Sequence, residues 1–390
     1  MHLLLSIPLL LIFLGSSALG EPIKASDIAI VLPKDRVGLG AKSGLLVPSW
    51  YEGVKEGFSR TSVGDALESE NYFDDWQIVS LRVVPCSPLG ISPKQNIDQF
   101  CWPEVRIVWQ PILLKNNPGR QPNFADDRAL HALYDIDPSL YVSGAAAQVA
   151  LGIKNDISRS LAKGLLPNLS DTDLQAFMEV RNRTTARFLE DVLLLRSSDA
   201  FDTIEVRSEF SNSKMSKLFV NKLRDFLTKI APPKNIKALT AFSLPEGRDP
   251  SGIDEWVFLK FLGKNGQLKP AKIELFSATN GAKIYDFGFS PMASMQRDDP
   301  KLYDWLERNP NQEVLKNVFL YGDKKSYSQI ADRRQILVEN TSCASCHKLN
   351  TEKFNFHALS YLGIDELEPS PRVKKDVELD LLWIKTFLKE

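Results

Sequence analysis

The four cysteines of this chain fall into two pairs, and each pair constrains the fold differently. Cys86 and Cys101 are separated by Ser-Pro-Leu-Gly-Ile-Ser-Pro-Lys-Gln-Asn-Ile-Asp-Gln-Phe, a turn-rich insert. On either side lie Trp76–Val84 and Val105–Leu114, dense in the β-branched and aromatic residues that favour pleated backbone. In an oxidising compartment the two thiols can close this loop across neighbouring strands. A loop of that length is worth about 3 kcal/mol in the chain-entropy treatment. The second pair sits near the C-terminus, in Cys343-Ala344-Ser345-Cys346-His347. Two thiols three positions apart lie on one side of a helical turn, with an imidazole directly behind the second.

Cys-x-x-Cys-His is the attachment signature of a c-type haem. Cys343 and Cys346 can form thioethers with the two vinyl groups of one porphyrin, and His347 can reach the iron as proximal ligand. With 4 Cys and 4 His in 390 residues, a chance match to the pattern is rare. A redox dithiol, half of a zinc site and a disulfide are the other chemistries open to the pair.

The N-terminus points to export. Residues 3–14, Leu-Leu-Leu-Ser-Ile-Pro-Leu-Leu-Leu-Ile-Phe-Leu, form an apolar run of signal-peptide length, and Ala18-Leu19-Gly20 offers small residues for cleavage before Glu21. The basic residues that usually precede such a run are missing, while Pro8 and its length argue against a spanning anchor. Later segments never reach membrane-spanning length, so no span is expected after cleavage. The composition, 43% hydrophobic and 25% charged with a formal net charge of −1, gives no electrostatic case for nucleic acid or an anionic membrane. A chain of 390 residues exceeds what one core usually holds, so two domains or more are expected.

From Glu21 to about residue 290, helix and strand patterns mix without strict alternation. Asp171 is placed as the cap of a long helix through about Leu195, and Lys217–Ile230 shows a second apolar stripe at helical spacing. Strands are expected at Thr203–Phe210, Ile236–Phe242 and Trp256–Leu262, the last forming a hairpin with Ala271–Ser277. Antiparallel strands beside amphipathic helices predict an α+β domain. Gly38-Leu39-Gly40 with Gly44 does not match a nucleotide loop, and no Gly-x-Ser-x-Gly occurs. Asp126, Asp127, Asp135 and Asp137 fit no calcium-loop spacing.

The C-terminal part resembles a small cytochrome c domain. A helix is expected from Ser326 through Val338, before the haem motif. A second starts at Ser370-Pro371, serine as N-cap and proline in the first turn, with Val373, Val377, Leu381, Ile384 and Leu388 on one face. In that class the terminal helices cross and close one edge of the haem crevice. The resemblance covers residues 324–390, and its specific motif is the haem signature. It implies a methionine as sixth iron ligand downstream of the motif, yet no methionine follows Met295. The candidates are His357, in Phe354-Asn355-Phe356-His357, and Met292 and Met295 just upstream; His131, Met178 and Met215 are more remote. The stretch around His357 also looks like the one that follows a haem motif in bacterial di-haem peroxidases, but the second haem motif of that family is missing.

The expected organisation is therefore a signal peptide over residues 1–20, an α+β domain over 21–290, a linker or haem-covering segment over 291–323, and a mainly α cytochrome c-like domain over 324–390. The expected function is that of an exported, periplasmic monohaem c-type cytochrome, with one covalent haem c and a redox partner protein. A peroxidase-type haem enzyme and a small-gas sensor are the rival readings.

Overall fold

In the computed structural model the described residues are 22–33, 39–59, 72–90, 99–111, 129–162, 165–197, 199–243, 257–271, 273–277, 281–285, 369 and 371–388. Their centre is a seven-stranded sheet in which every strand is antiparallel to its neighbour and spatial order follows chain order. The strands are β1 (Ala29–Val31), β2 (Trp76–Pro88), β3 (Cys101–Pro111), β4 (Ala129–Asp135), β5 (Ile236–Ser243), β6 (Val257–Lys264) and β7 (Gln267–Pro270). A separate hairpin pairs β8 (Ile273–Ser277) with β9 (Gly281–Tyr285). The helices are α1 (Ala25–Ile28), α2 (Pro48–Ser59), α3 (Gly144–Ala162), α4 (Asp171–Leu193), α5 (Ser213–Ile230) and α6 (Pro371–Phe387). Among the described residues no helix is long and apolar enough to cross a membrane.

The two faces of the sheet differ because side chains alternate along each strand. One cross-strand row runs Ile30, Leu81, Ile107, Ala132, Leu239, Phe261, and none of these is more than 3% exposed. This is the core face. α2 packs on it so closely that a Cβ at Gly57 would stand 2.6 Å from Leu259. The neighbouring row, on the opposite face, reads Val31, Ser80, Val108, His131, Thr240, Lys260. Its first three members are buried and its last three half-buried. A second hydrophobic cluster gathers Phe100 and Trp102 with Ile153 and Ile157 of α3 and Phe177 and Val180 of α4.

Local chemistry explains the element ends. Ser170 caps α4 by accepting a hydrogen bond from the Asp173 amide at 3.1 Å, so Asp171 stands inside the first turn, where its charge favours the helix dipole. Asn212 caps α5 through the Lys214 and Met215 amides. Asn265 and Gly266 both adopt positive φ, which turns β6 directly into β7. The hairpin partner of β6 is thus Gln267–Pro270, and the expected Ala271–Ser277 run pairs with β9 instead. Residues 203–210 form no strand beyond a single bridge from Val206 to Val31, because Ser208–Ser211 turns into a 3₁₀ helix.

The largest correction concerns the C-terminal helix. An α+β domain followed by a small mainly α cytochrome c-like domain places that helix at the edge of a haem crevice. In the structure α6 packs on the sheet and contributes Val373, Val377 and Ile384 to its main core. The reason lies in three charged residues on the same stripe. Arg372, Asp376 and Asp380 are buried along with the apolar positions. Arg82 of β2 donates to Asp376 Oδ2 at 3.1 Å and to Asp380 Oδ2 at 3.2 Å. A stripe read only for its apolar members could seat anywhere apolar; the two carboxylates, one turn apart, select the strand that carries a buried arginine.

Candidate functional site

Most of the residues singled out by sequence lie outside the described residues: Cys343, Cys346, His347, His357, Met292, Met295, the leader over residues 1–20 and the helix expected at 326–338. Cys86 and Cys101 are within them, joined as a disulfide with Cα atoms 4.9 Å apart. The bridge ties the end of β2 to the start of β3 and is buried, with Nη1 of Arg181 at 3.8 Å from Cys101 Sγ. Its place at a strand end, inside the core, makes it a structural clamp.

The remaining candidates separate. Met178 is half-buried on α4, and Met215 stands in the first turn of α5. His131 occupies β4, the central strand, on the face opposite the core, paired across to Val108 and Thr240. Burial, followed by the nearby charge of Arg106, lowers its pKa from the usual 6.5 to about 3, so the imidazole is neutral. A neutral imidazole is the form that can ligate a metal.

Around His131 the same face carries an organised set of charges. Glu104 is fully buried, accepting from Arg106 Nε at 2.6 Å and from Lys237 Nζ at 3.0 Å. Burial alone would raise its carboxyl, but Lys237 and Arg106 outweigh it and hold the pKa at about 2. Arg82 stands in the next strand, opposite Arg106, and the carboxylates of α6 compensate it. Lys154 of α3 pairs with Asp135 at the end of β4. Among these residues only His131 had been singled out as a candidate ligand. The signal for the rest was present: Arg82, Glu104 and Arg106 interrupt otherwise apolar strands at alternate positions, which marks one face as polar.

Other features resolve into structural roles. Gly44 is left-handed, at φ 79°, and ends a 3₁₀ turn over Ala41–Ser43. Asp137 caps the 3₁₀ helix Pro138–Leu140 through the Ser139 amide. A surface cleft of about 390 Å³ beside α3 and α4 is lined by Val142, Ala146, Val149, Ala176 and Val180, with Glu179 and Arg183 paired at its rim. It presents an aliphatic wall and one exposed ion pair. No group of three or more metal-ligating side chains occurs among the described residues. Comparison of the chain with protein-family models, curated proteins and solved structures found no match.

Proposed function

We propose that this is an exported protein that carries one covalently attached haem c and transfers single electrons to and from a redox partner protein. The observation that carries this reading is the run Cys343-Ala344-Ser345-Cys346-His347. Its donor chemistry fits the group: two thiols for the vinyl carbons and one imidazole for the iron. The haem, when bound, supplies the one-electron iron couple. The chain's part is to hold it covalently through Cys343 and Cys346, to ligate the iron through His347, and to fill the sixth position with a side chain. A filled sixth position keeps the ligand set constant between oxidation states, which suits electron transfer; a vacant one suits a peroxidase or a gas sensor. His357, Met292 and Met295 are the ligands that the sequence offers near the motif.

Two features support export. The apolar run at residues 3–14 with Ala18-Leu19-Gly20 has the form of a cleavable leader. The Cys86–Cys101 bridge is of the kind that persists in an oxidising compartment such as the periplasm.

The test is attachment. In the denatured, acid–acetone-extracted wild type, haem should remain on the polypeptide, and a Cys343→Ser, Cys346→Ser double variant should lose it. Fully extractable haem, or a stoichiometric zinc ion in its place, would refute the reading.

A further inference from the structure

The chain around the last three strands of the main sheet carries lysines without acids of its own. Residues 229–243 and 257–271 hold Lys229, Lys234, Lys237, Lys260, Lys264 and Lys269 and no aspartate or glutamate. Carboxylates from other elements answer the first three: Asp191, Asp137 and Glu104. Lys260, Lys264 and Lys269 form no ion pair among the described residues. In a chain whose formal net charge is −1, this is a local excess of positive charge.

The sheet puts those three lysines on one face. Lys260, Leu262 and Lys264 point to the same side of β6 because side chains alternate, and Lys269 of β7 pairs directly across from Leu262. That side is the polar face, since Leu262 continues the row Arg82, Arg106, Leu133, Ala238. Between Cα positions, Lys260 and Lys264 stand about 7 Å from Leu262 along the strand, and Lys269 about 5 Å across it. Arg82 is buried beneath α6 and Arg106 is half-buried, whereas Leu262 is 50% exposed. Lys264 and Lys269 are exposed and Lys260 is half-buried. α6 thus closes one end of the face and leaves the β6–β7 end open. The hairpin is held from behind: Trp50 of α2 donates its indole N–H to the Gly266 carbonyl at 3.0 Å, and Leu268 packs against the core. A surface fixed in this way presents its charges with little ordering cost.

We propose that Lys260, Lys264 and Lys269, grouped around Leu262, form a docking surface for a partner protein that presents carboxylates about an apolar side chain. The surface owes nothing to the haem motif, and its test leaves the haem reading untouched. Charge complementarity selects an acidic partner, and the exposed leucine at the centre offers an apolar contact that a phosphate backbone cannot use. The exposed members of the patch include no arginine, the side chain whose planar fork suits phosphate. Three lysines fall short of the roughly four to eight basic residues that hold a segment on an anionic leaflet. Lys269 and Pro270 blunt β7 as an edge, so the partner meets the face of the sheet and adds no strand to it.

The experiment uses the full-length protein and, as probe, a fluorescent heptapeptide of glutamates and aspartates around a central leucine, read by anisotropy at low salt. The wild type should bind it, and raising the salt to about 0.15 M, where charges are screened beyond about 8 Å, should weaken binding several-fold. The variant Lys260→Gln, Lys264→Gln, Lys269→Gln should bind about tenfold more weakly, as the loss of three exposed ion pairs implies. Lys264→Gln, Lys269→Gln, changed only at exposed positions, decides the matter if the triple variant fails to fold. Leu262→Ser should also weaken binding while leaving its salt dependence as it is. The control Lys214→Gln, Lys217→Gln, Lys374→Gln removes the same charge from exposed sites on α5 and α6 and should bind like the wild type. No binding of the peptide, or equal losses in the patch and control variants, would overturn the proposal. So would tighter binding of duplex DNA or of phosphatidylserine vesicles through the same lysines, since the patch would then serve phosphate.

Discussion

Glu104 keeps its charge although none of its side chain reaches solvent, and the geometry explains how. Arg106 stands two residues further along the same strand, and Lys237 reaches over from β5, so each carboxylate oxygen has its own cation. The carboxyl ionises in the folded chain at about 2, against 4.5 when unperturbed. Because the folded pKa is the lower one, its contribution to stability is complete above pH 4.5 and is lost as the pH falls toward 2. A shift of this size corresponds to about 3 kcal/mol. Glu104→Gln should therefore be less stable than wild type at pH 7 by an amount of that order, and the two should converge as the pH falls toward 2. Urea unfolding at pH 7, 4 and 3 measures this; an unchanged gap across the series would show that Glu104 titrates normally. The residue pattern on β3, with Glu104 and Arg106 at alternate positions, was legible as a polar face. That Lys237 completes the triad was not, because strand order between β4 and β5 spans three intervening helices.

At the scale of elements, long apolar patterns were readable and their partners were not. The expected run Trp76–Val84 opens β2, the run expected from Val105 falls inside β3, which already starts at Cys101, and the proline at 371 does open α6. The turn Asn265-Gly266 shows the limit: a two-residue turn commits the chain to the residues immediately after it, so the polar run Gln267–Pro270 outcompetes the more apolar one further on. For α6 the stripe holds at Val373, Val377 and Ile384, with Leu381 half-buried and Leu388 exposed past the helix end, but its destination depended on Arg82. Removing one partner of a buried ion pair leaves an uncompensated charge, which typically costs 3–5 kcal/mol, roughly. The double variant Asp376→Leu, Asp380→Leu, with Arg82 and Arg372 left in place, should lose that much in chemical unfolding. Because Arg372 is also buried against Asp376, the quadruple variant Arg82→Met, Arg372→Met, Asp376→Leu, Asp380→Leu is the one that should recover most of it, since the buried volume then stays apolar. If the quadruple variant is no more stable than the double one, the ions do not seat this helix and its apolar positions do.

For the molecule as a whole, the return of α6 to β2 means that the last helix of the chain belongs to the main core rather than to a terminal appendage. The first strand of the sheet follows Ile28, and the last helix on it begins at Pro371, so the core is closed only when nearly the whole chain is present. Val373, Val377 and Ile384 are in the same buried cluster as Leu81 and Ile107. Residues that share a core open together, whereas an independent domain opens with its own free energy. Native-state hydrogen exchange separates the two arrangements. Amides in the middle of α6, from Asp376 to Ile384, should exchange with an opening free energy equal to that of amides at Val105 to Trp109 in β3, and both should fall by the same amount in Asp380→Asn. The buried tryptophans of the sheet, Trp76 and Trp109, should report the same transition as helical signal from α6. Exchange of α6 at a clearly lower free energy than β3, with β3 unaffected by Asp380→Asn, would return the helix to a separate C-terminal unit. Equal protection means that the first strand and the last helix belong to one cooperative core, so a change in α6 is felt across the whole sheet.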